Sequence, residues 1–181
     1  MLKENYDIVS QKVAEACQRV GRKKEEVTII AVSKTKPLSD VVELSKYGVM
    51  DFGENKVQEL CSKYEEIEHP VRWHLIGHLQ TNKVKYIVDK VELIHSVDSL
   101  KLAVQISKEA VKKDVTVNVL IQVNVAEEET KFGLETQDVM ELVQEAAKLP
   151  NIRIQGLMTI APFVADPEEN REYFRQLKQL F

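Results

Sequence analysis

The chain has 181 residues, 44% hydrophobic and 30% charged, with a formal net charge of -4. That balance excludes a disordered polyelectrolyte and suits one soluble domain with a sizeable core. A mildly acidic chain with its lysines scattered among acids lacks the electrostatic footprint of a nucleic-acid binder, and no apolar run approaches the roughly 20 residues that cross a bilayer.

Leu2, Tyr6, Val9, Val13, Cys17 and Val20 recur every three or four residues, an amphipathic helix that Gly21 stops. Val27 to Val32 is a continuous run rich in β-branched residues, as in a strand covered on both faces of a parallel sheet. A helix follows Pro37, with Val41, Val42 and Leu44 apolar. Val49 to Phe52 reads as a strand, and Val57, Leu60, Cys61, Tyr64 and Ile67 mark the next helix. Val71 to Ile76 is strand-like, and Val84, Ile87 and Val88 suggest a helix. Glu92 to His95 is a short strand, followed by a helix with Leu102, Val104, Ile106 and Val111. Val115 to Val125 is the longest β-rich run, and the helix through Val139, Leu142, Val143, Ala146 and Leu149 stops at Pro150. Ile152 to Met158 is the sixth strand, and Tyr173, Phe174, Leu177 and Leu180 open a last helix.

This alternation predicts an α/β fold with parallel strands and crossover helices. An open doubly wound sheet and a barrel compete. Neither G-x-G-x-x-G nor G-x-x-x-x-G-K-[ST] occurs, which favours the barrel. A full (β/α) barrel typically takes about 250 residues and rarely fewer than about 200, so six strands imply an open sheet or a barrel cut short. The N-terminus has no apolar signal segment, and Cys17 and Cys61 sit in helical apolar patterns. Both features predict a cytoplasmic protein with reduced, buried thiols.

Lys34 stands at the C-terminal end of the first strand, the edge that carries the site in parallel α/β proteins. Period-two parity places it with Ile30 and Val32. Apolar walls would desolvate its amine and Lys36 would repel its charge, both favouring a neutral nucleophile able to form a Schiff base. The plainer alternative is a solubilising loop lysine. Asn55, at the next strand-to-helix junction after Gly53, either caps the helix or presents its amide to the site. His74 and His78 have the spacing of helical metal ligands, but their segment reads as a strand and no Glu lies between them, so no metal is expected. His95 closes the fourth strand and reads as a core or rim histidine. Glu127-Glu128-Glu129 reads as a solvated loop. There is no G-x-S-x-G elbow, and neither cysteine has a basic neighbourhood.

Seven runs, in order, resemble the pyridoxal phosphate homeostasis (YggS/PROSC-type) family. They are Ile30 to Lys34, Phe52 to Glu59, Trp73 to Lys83, Ile94 to Asp98, Gln122 to Val125, Lys131 to Leu134 and Gly156 to Pro162. The set spans nearly the whole chain. The resemblance implies a TIM-type barrel like the N-terminal domain of alanine racemase, with pyridoxal 5'-phosphate (PLP) as cofactor. It makes Lys34 the Schiff-base lysine, Asn55 a residue at the edge of the cofactor pocket, and Met158 a neighbour of the cofactor at the end of the sixth strand. His74 and His95 carry over only as supporting residues. Alanine racemases take a catalytic tyrosine from a second domain. The resemblance therefore implies a cofactor-holding protein without efficient turnover, serving vitamin B6 and amino-acid balance, with apo-enzymes as recipients and a monomeric state.

Family members continue past the aromatic helix into two further strands with phosphate-binding motifs. The expectation is thus one barrel domain over residues 1–181, incomplete at its C-terminal end. A racemase-like enzyme on the same barrel, and a cofactor-free Schiff-base aldolase-type barrel, are the alternatives.

Overall fold

The computed structural model describes residues 1–126 and 132–180, so the expected Glu127–Glu129 loop and Lys131 lie outside the described residues. Among the described residues, six strands form one parallel sheet: β1 (Ala31–Val32), β2 (Asp51–Glu54), β3 (Arg72–Leu75), β4 (Leu93–Val97), β5 (Val117–Gln122) and β6 (Ile152–Met158). Their spatial order follows their sequence order, from β1 at one end to β6 at the other. A doubly wound sheet reverses its strand order at a switch point; sequential winding is how a TIM-type barrel is built. The fold is TIM-barrel-like.

The described residues also form six α-helices: α1 (Leu2–Arg19), α2 (Leu38–Lys46), α3 (Val57–Glu66), α4 (Leu100–Lys112), α5 (Val139–Ala146) and α6 (Arg171–Leu180). Gly21 at φ 67° ends α1, and the Arg22 N–H closes onto the Cys17 carbonyl at 2.9 Å. The Ser99 hydroxyl caps α4 by accepting from the Leu102 N–H. The buried Leu102, Ala103, Ile106 and Ala110 on α4 form the apolar stripe that turns it onto the sheet. Phe52 and Trp73, on adjacent strands, are buried with ring centroids 6.1 Å apart. Leu60, Leu75, Ile94, Val119 and Ile121 continue that core. A smaller cluster of Val123, Val125 and Val139 packs against Tyr173, Leu177 and Leu180 of α6.

Several expectations need correction. The first strand pairs only at Ala31 and Val32, not from Val27. Among the described residues its one neighbour is β2, and its ladder extends only where β2 backbone lies alongside. The Val84–Val88 helix is a 3₁₀ stretch over Thr81–Tyr86, which still buries Val84, Ile87 and Val88. Only Cys17 is buried on α1, because Val9 and Val20 face solvent. Cys17 and Cys61 are free thiols as expected, but Cys61 is half-buried.

Candidate functional site

Parallel strands put all their C-terminal ends on one edge. Lys34 lies two residues past Val32, and Asn55 two past Gly53, and Val32 and Gly53 are register partners. The fold therefore sets Lys34 and Asn55 level with each other on adjoining strands. Met158 ends β6 on the same edge, half-buried and paired with Gln122, at the far end of the strand order.

Lys34 is exposed, so the expected apolar enclosure of its amine is absent; Val32, its parity partner, is also exposed. Among the described residues, this two-residue strand pairs with β2 alone. Asn55 does not cap α3: Lys56 occupies the N-cap position and makes no side-chain cap bond. Instead its backbone is pressed against Gly77, where a Cβ would stand 2.7 Å from the Asn55 Cα.

The backbone around Lys34 is held from below by charged side chains. Ser33 is buried, and its N–H donates to the Gly53 carbonyl at 3.0 Å. Its hydroxyl donates to Glu54 Oε1 at 2.6 Å. Lys63 Nζ, from α3, donates to the Ser33 carbonyl at 2.8 Å, to Glu54 Oε1 at 2.7 Å and to Glu59 Oε1 at 2.9 Å. Glu59 Oε1 also accepts the Thr35 N–H at 2.7 Å. Thr35 adopts φ 63°, a left-handed conformation that a β-branched residue rarely takes. Burial pushes the Lys63 amine down, but the bonds to Glu54 and Glu59 outweigh it and hold it above the ordinary lysine value. The Lys63 bond, against some burial, holds Glu59 below the ordinary range. Glu54 is fully buried, and its Oε2 has no partner among the described residues.

A second polar chain runs through the middle of the sheet. Arg72 grips Asp51 with two bonds, Nε to Oδ1 at 2.8 Å and Nη2 to Oδ2 at 2.6 Å. His74 Nε2 meets Asp51 Oδ1 at 2.9 Å, and His74 Nδ1 meets His95 Nε2 at 3.0 Å. Arg72, with some opposition from burial, holds Asp51 below its usual value and therefore ionised. An ionised Asp51 accepts from His74 Nε2–H, and one proton is shared between His74 Nδ1 and His95 Nε2. Burial and the neighbouring His74 push His95 down to about 4. His95 is thus a satisfied core histidine in the middle of β4, not a strand-end residue at the mouth. This chain borders a cavity of about 690 Å³ at the N-terminal half of the strands, lined also by Thr28, Glu92, Asn118 and Arg153. Lys34, Asn55 and Met158 are not among its walls. In barrels that end serves stability and the opposite edge serves chemistry, so the candidate site is the Lys34 edge.

His78 is exposed, stacked on Phe132 with centroids 4.1 Å apart, and does not join His74. No group of three metal-ligating side chains occurs among the described residues. Among the described residues, no helix is long and apolar enough to cross a membrane.

Sequence reasoning missed the Ser33–Glu54–Lys63–Glu59 cluster. Its one local signal was Glu59 and Lys63 at helical i, i+4 spacing. The edge is electropositive. Lys34, Lys36 and Lys56 are exposed there and close no ion pair among the described residues, while Lys63 neutralises the nearby acids.

The family model for the alanine racemase N-terminal domain matches residues 5–181, and the chain belongs to that family. Its similarity runs specifically to pyridoxal phosphate homeostasis proteins. The one from Aquifex aeolicus is 44% identical over 178 residues, covering 98% of this chain and 78% of the relative. Among solved structures, a protein of unknown function from Bifidobacterium adolescentis superposes with a TM-score of 0.90 at 32% identity, covering 99% of this chain and 77% of the other. PipY of Synechococcus elongatus, solved with PLP bound, superposes with a TM-score of 0.80 at 31% identity, covering 93% and 79%.

Proposed function

We propose that the chain holds pyridoxal 5'-phosphate at the C-terminal edge of its sheet through Lys34 Nζ, and serves vitamin B6 homeostasis without efficient turnover. The observation that carries this is the exposed Lys34 amine, set between two fastened residues on the edge where barrels of this type place their ligands. The homology to PipY, solved with PLP bound, and to relatives named pyridoxal phosphate homeostasis protein supports it.

When bound, the cofactor supplies an aldehyde and an electron-withdrawing ring. Lys34 supplies the amine; its attachment to the aldehyde carbon releases one water. Ser33 and Thr35 fix the Lys34 backbone from either side. Lys36 and Lys56 add positive charge that favours a phosphate-bearing ligand. Asn55 borders the site on the adjoining strand, and Met158 offers an apolar thioether at the end of β6. The nearby acids Glu54 and Glu59 are engaged by Lys63 and are not free to move a substrate proton. This supports holding and release over catalysis. Apo-enzymes that need the cofactor are the recipients in this reading. A monomer suffices, since no step calls on a second copy. The free Cys17 and Cys61 support a reducing, cytoplasmic setting.

The test is to add PLP, reduce with borohydride and map the labelled peptide by mass. Label on Lys34 is expected. Label mainly on Lys36 or Lys83 refutes the assignment.

A further inference from the structure

The loop that carries Lys34 is held by side chains that the attachment chemistry does not use. Glu59 Oε1 accepts from the Thr35 N–H and from Lys63 Nζ at once, so Lys63 fixes the carboxylate that fixes Thr35. Lys63 also takes the Ser33 carbonyl, and Glu54 takes the Ser33 hydroxyl. Ser33 and Thr35 are therefore fastened on both sides of Lys34, whose own side chain is left exposed.

Thr35 explains why fastening is needed. At φ 63° its branched Cβ is strained, and such a conformation persists only where surrounding bonds over-determine it. The Glu59 carboxylate is the acceptor that ties the Thr35 N–H to α3, while the other bonds at this turn, Thr35 Oγ1 to the Lys34 carbonyl and the Lys36 N–H to the Ser33 carbonyl, are internal to it. A stabilising role alone explains the cluster poorly. A buried ion pair gives little net stability against apolar packing, and Glu54 Oε2 remains unpartnered. Strain and half-satisfied buried charge together mark a place where geometry is held for function.

We propose that Glu59 and Lys63 of α3, with Glu54 of β2, are positioning residues that hold the strained turn from which the Lys34 amine meets the PLP aldehyde. This rests on the attachment reading above. The clamp acts on attachment, not on the ligand's phosphate or ring. Ligands that share those groups but lack the aldehyde bind independently of it.

The test uses the full chain with two probes: PLP, and pyridoxine 5'-phosphate, which carries an alcohol in place of the aldehyde. Attachment is read by absorbance titration and by borohydride mapping at Lys34, pyridoxine phosphate affinity by calorimetry, and folding by thermal melting. Glu59→Ala is expected to weaken attachment at Lys34 about tenfold, the scale of one hydrogen bond to an ionised acceptor. Pyridoxine phosphate affinity is expected to stay unchanged. Glycine takes φ 63° without strain, so adding Thr35→Gly to Glu59→Ala is expected to restore most of the loss. Should Glu59→Ala not fold, Lys63→Arg against Lys63→Gln reads the same contrast, with Arg retaining attachment. Normal Lys34 labelling in the wild type with undiminished attachment in Glu59→Ala overturns this proposal alone. So does a parallel loss of both ligands, or no recovery in the double variant. Absence of Lys34 label in the wild type overturns the attachment reading first, and this one with it.

Discussion

His95 makes the protein sensitive to mild acid in a defined window. Its imidazole is buried with Nε2 3.0 Å from His74 Nδ1, so adding a proton places charge beside His74 in a dry site. Its folded value lies at about 4 against an ordinary 6.5. Because the folded value is depressed, the unfolded chain takes up the proton first. The stability is complete above about pH 6.5 and is lost as pH falls toward 4. The full gap corresponds to about 3 kcal/mol, at about 1.4 kcal/mol per pH unit, and to about 2 kcal/mol already at pH 5. Asp51 and Glu59 have depressed carboxyl values, so their contributions are lost only at lower pH and leave the window from 7 to 5 to His95. Urea unfolding at pH 7 and pH 5 reads the effect as a midpoint lowered by about 1 M, for a slope of roughly 2 kcal/mol per M. His95→Gln keeps a donor for His74 but does not titrate, and its midpoint is expected to be nearly flat over the same range. A wild-type midpoint that does not move between pH 7 and 5, or an equal slope in His95→Gln, refutes the reasoning.

Gly77→Ala drives a Cβ into the Asn55 backbone, which has no flexible end to yield. It is expected to cost about 1–3 kcal/mol in urea unfolding and to weaken PLP binding, since Asn55 moves with it. Ile106→Ala, fully buried on α4 and remote from the Lys34 edge, is expected to cost about 2–5 kcal/mol while leaving PLP affinity unchanged. Loaded protein incubated with L-alanine is expected to give no racemisation at ordinary enzyme rates; chiral analysis showing about 1 turnover per second or more would reject the holding role.

The sequence determined the alternation of elements and the sheet edge on which Lys34 and Asn55 stand. β-Branched runs and helical stripes depend on nearest neighbours in the chain, so β6 and the existence of α4 could be read directly, but only half of the apolar face read for α4 is buried: Leu102 and Ile106 pack inward while Val104 and Val111 are exposed. The ordered motifs singled out Lys34 and Asn55, and strand ends in a parallel sheet must share one edge. The sequence did not determine how far β1 pairs, because that depends on where β2 lies. Nor did it show that Lys34 is exposed, that Asn55 meets Gly77 rather than capping α3, or that Lys63 reaches Ser33 across 30 positions. His74, His95 and Asp51 come from three strands and become a chain only when those strands lie side by side. Buried charge is settled by partners distant in sequence, and only the packed sheet brings those partners within bonding distance.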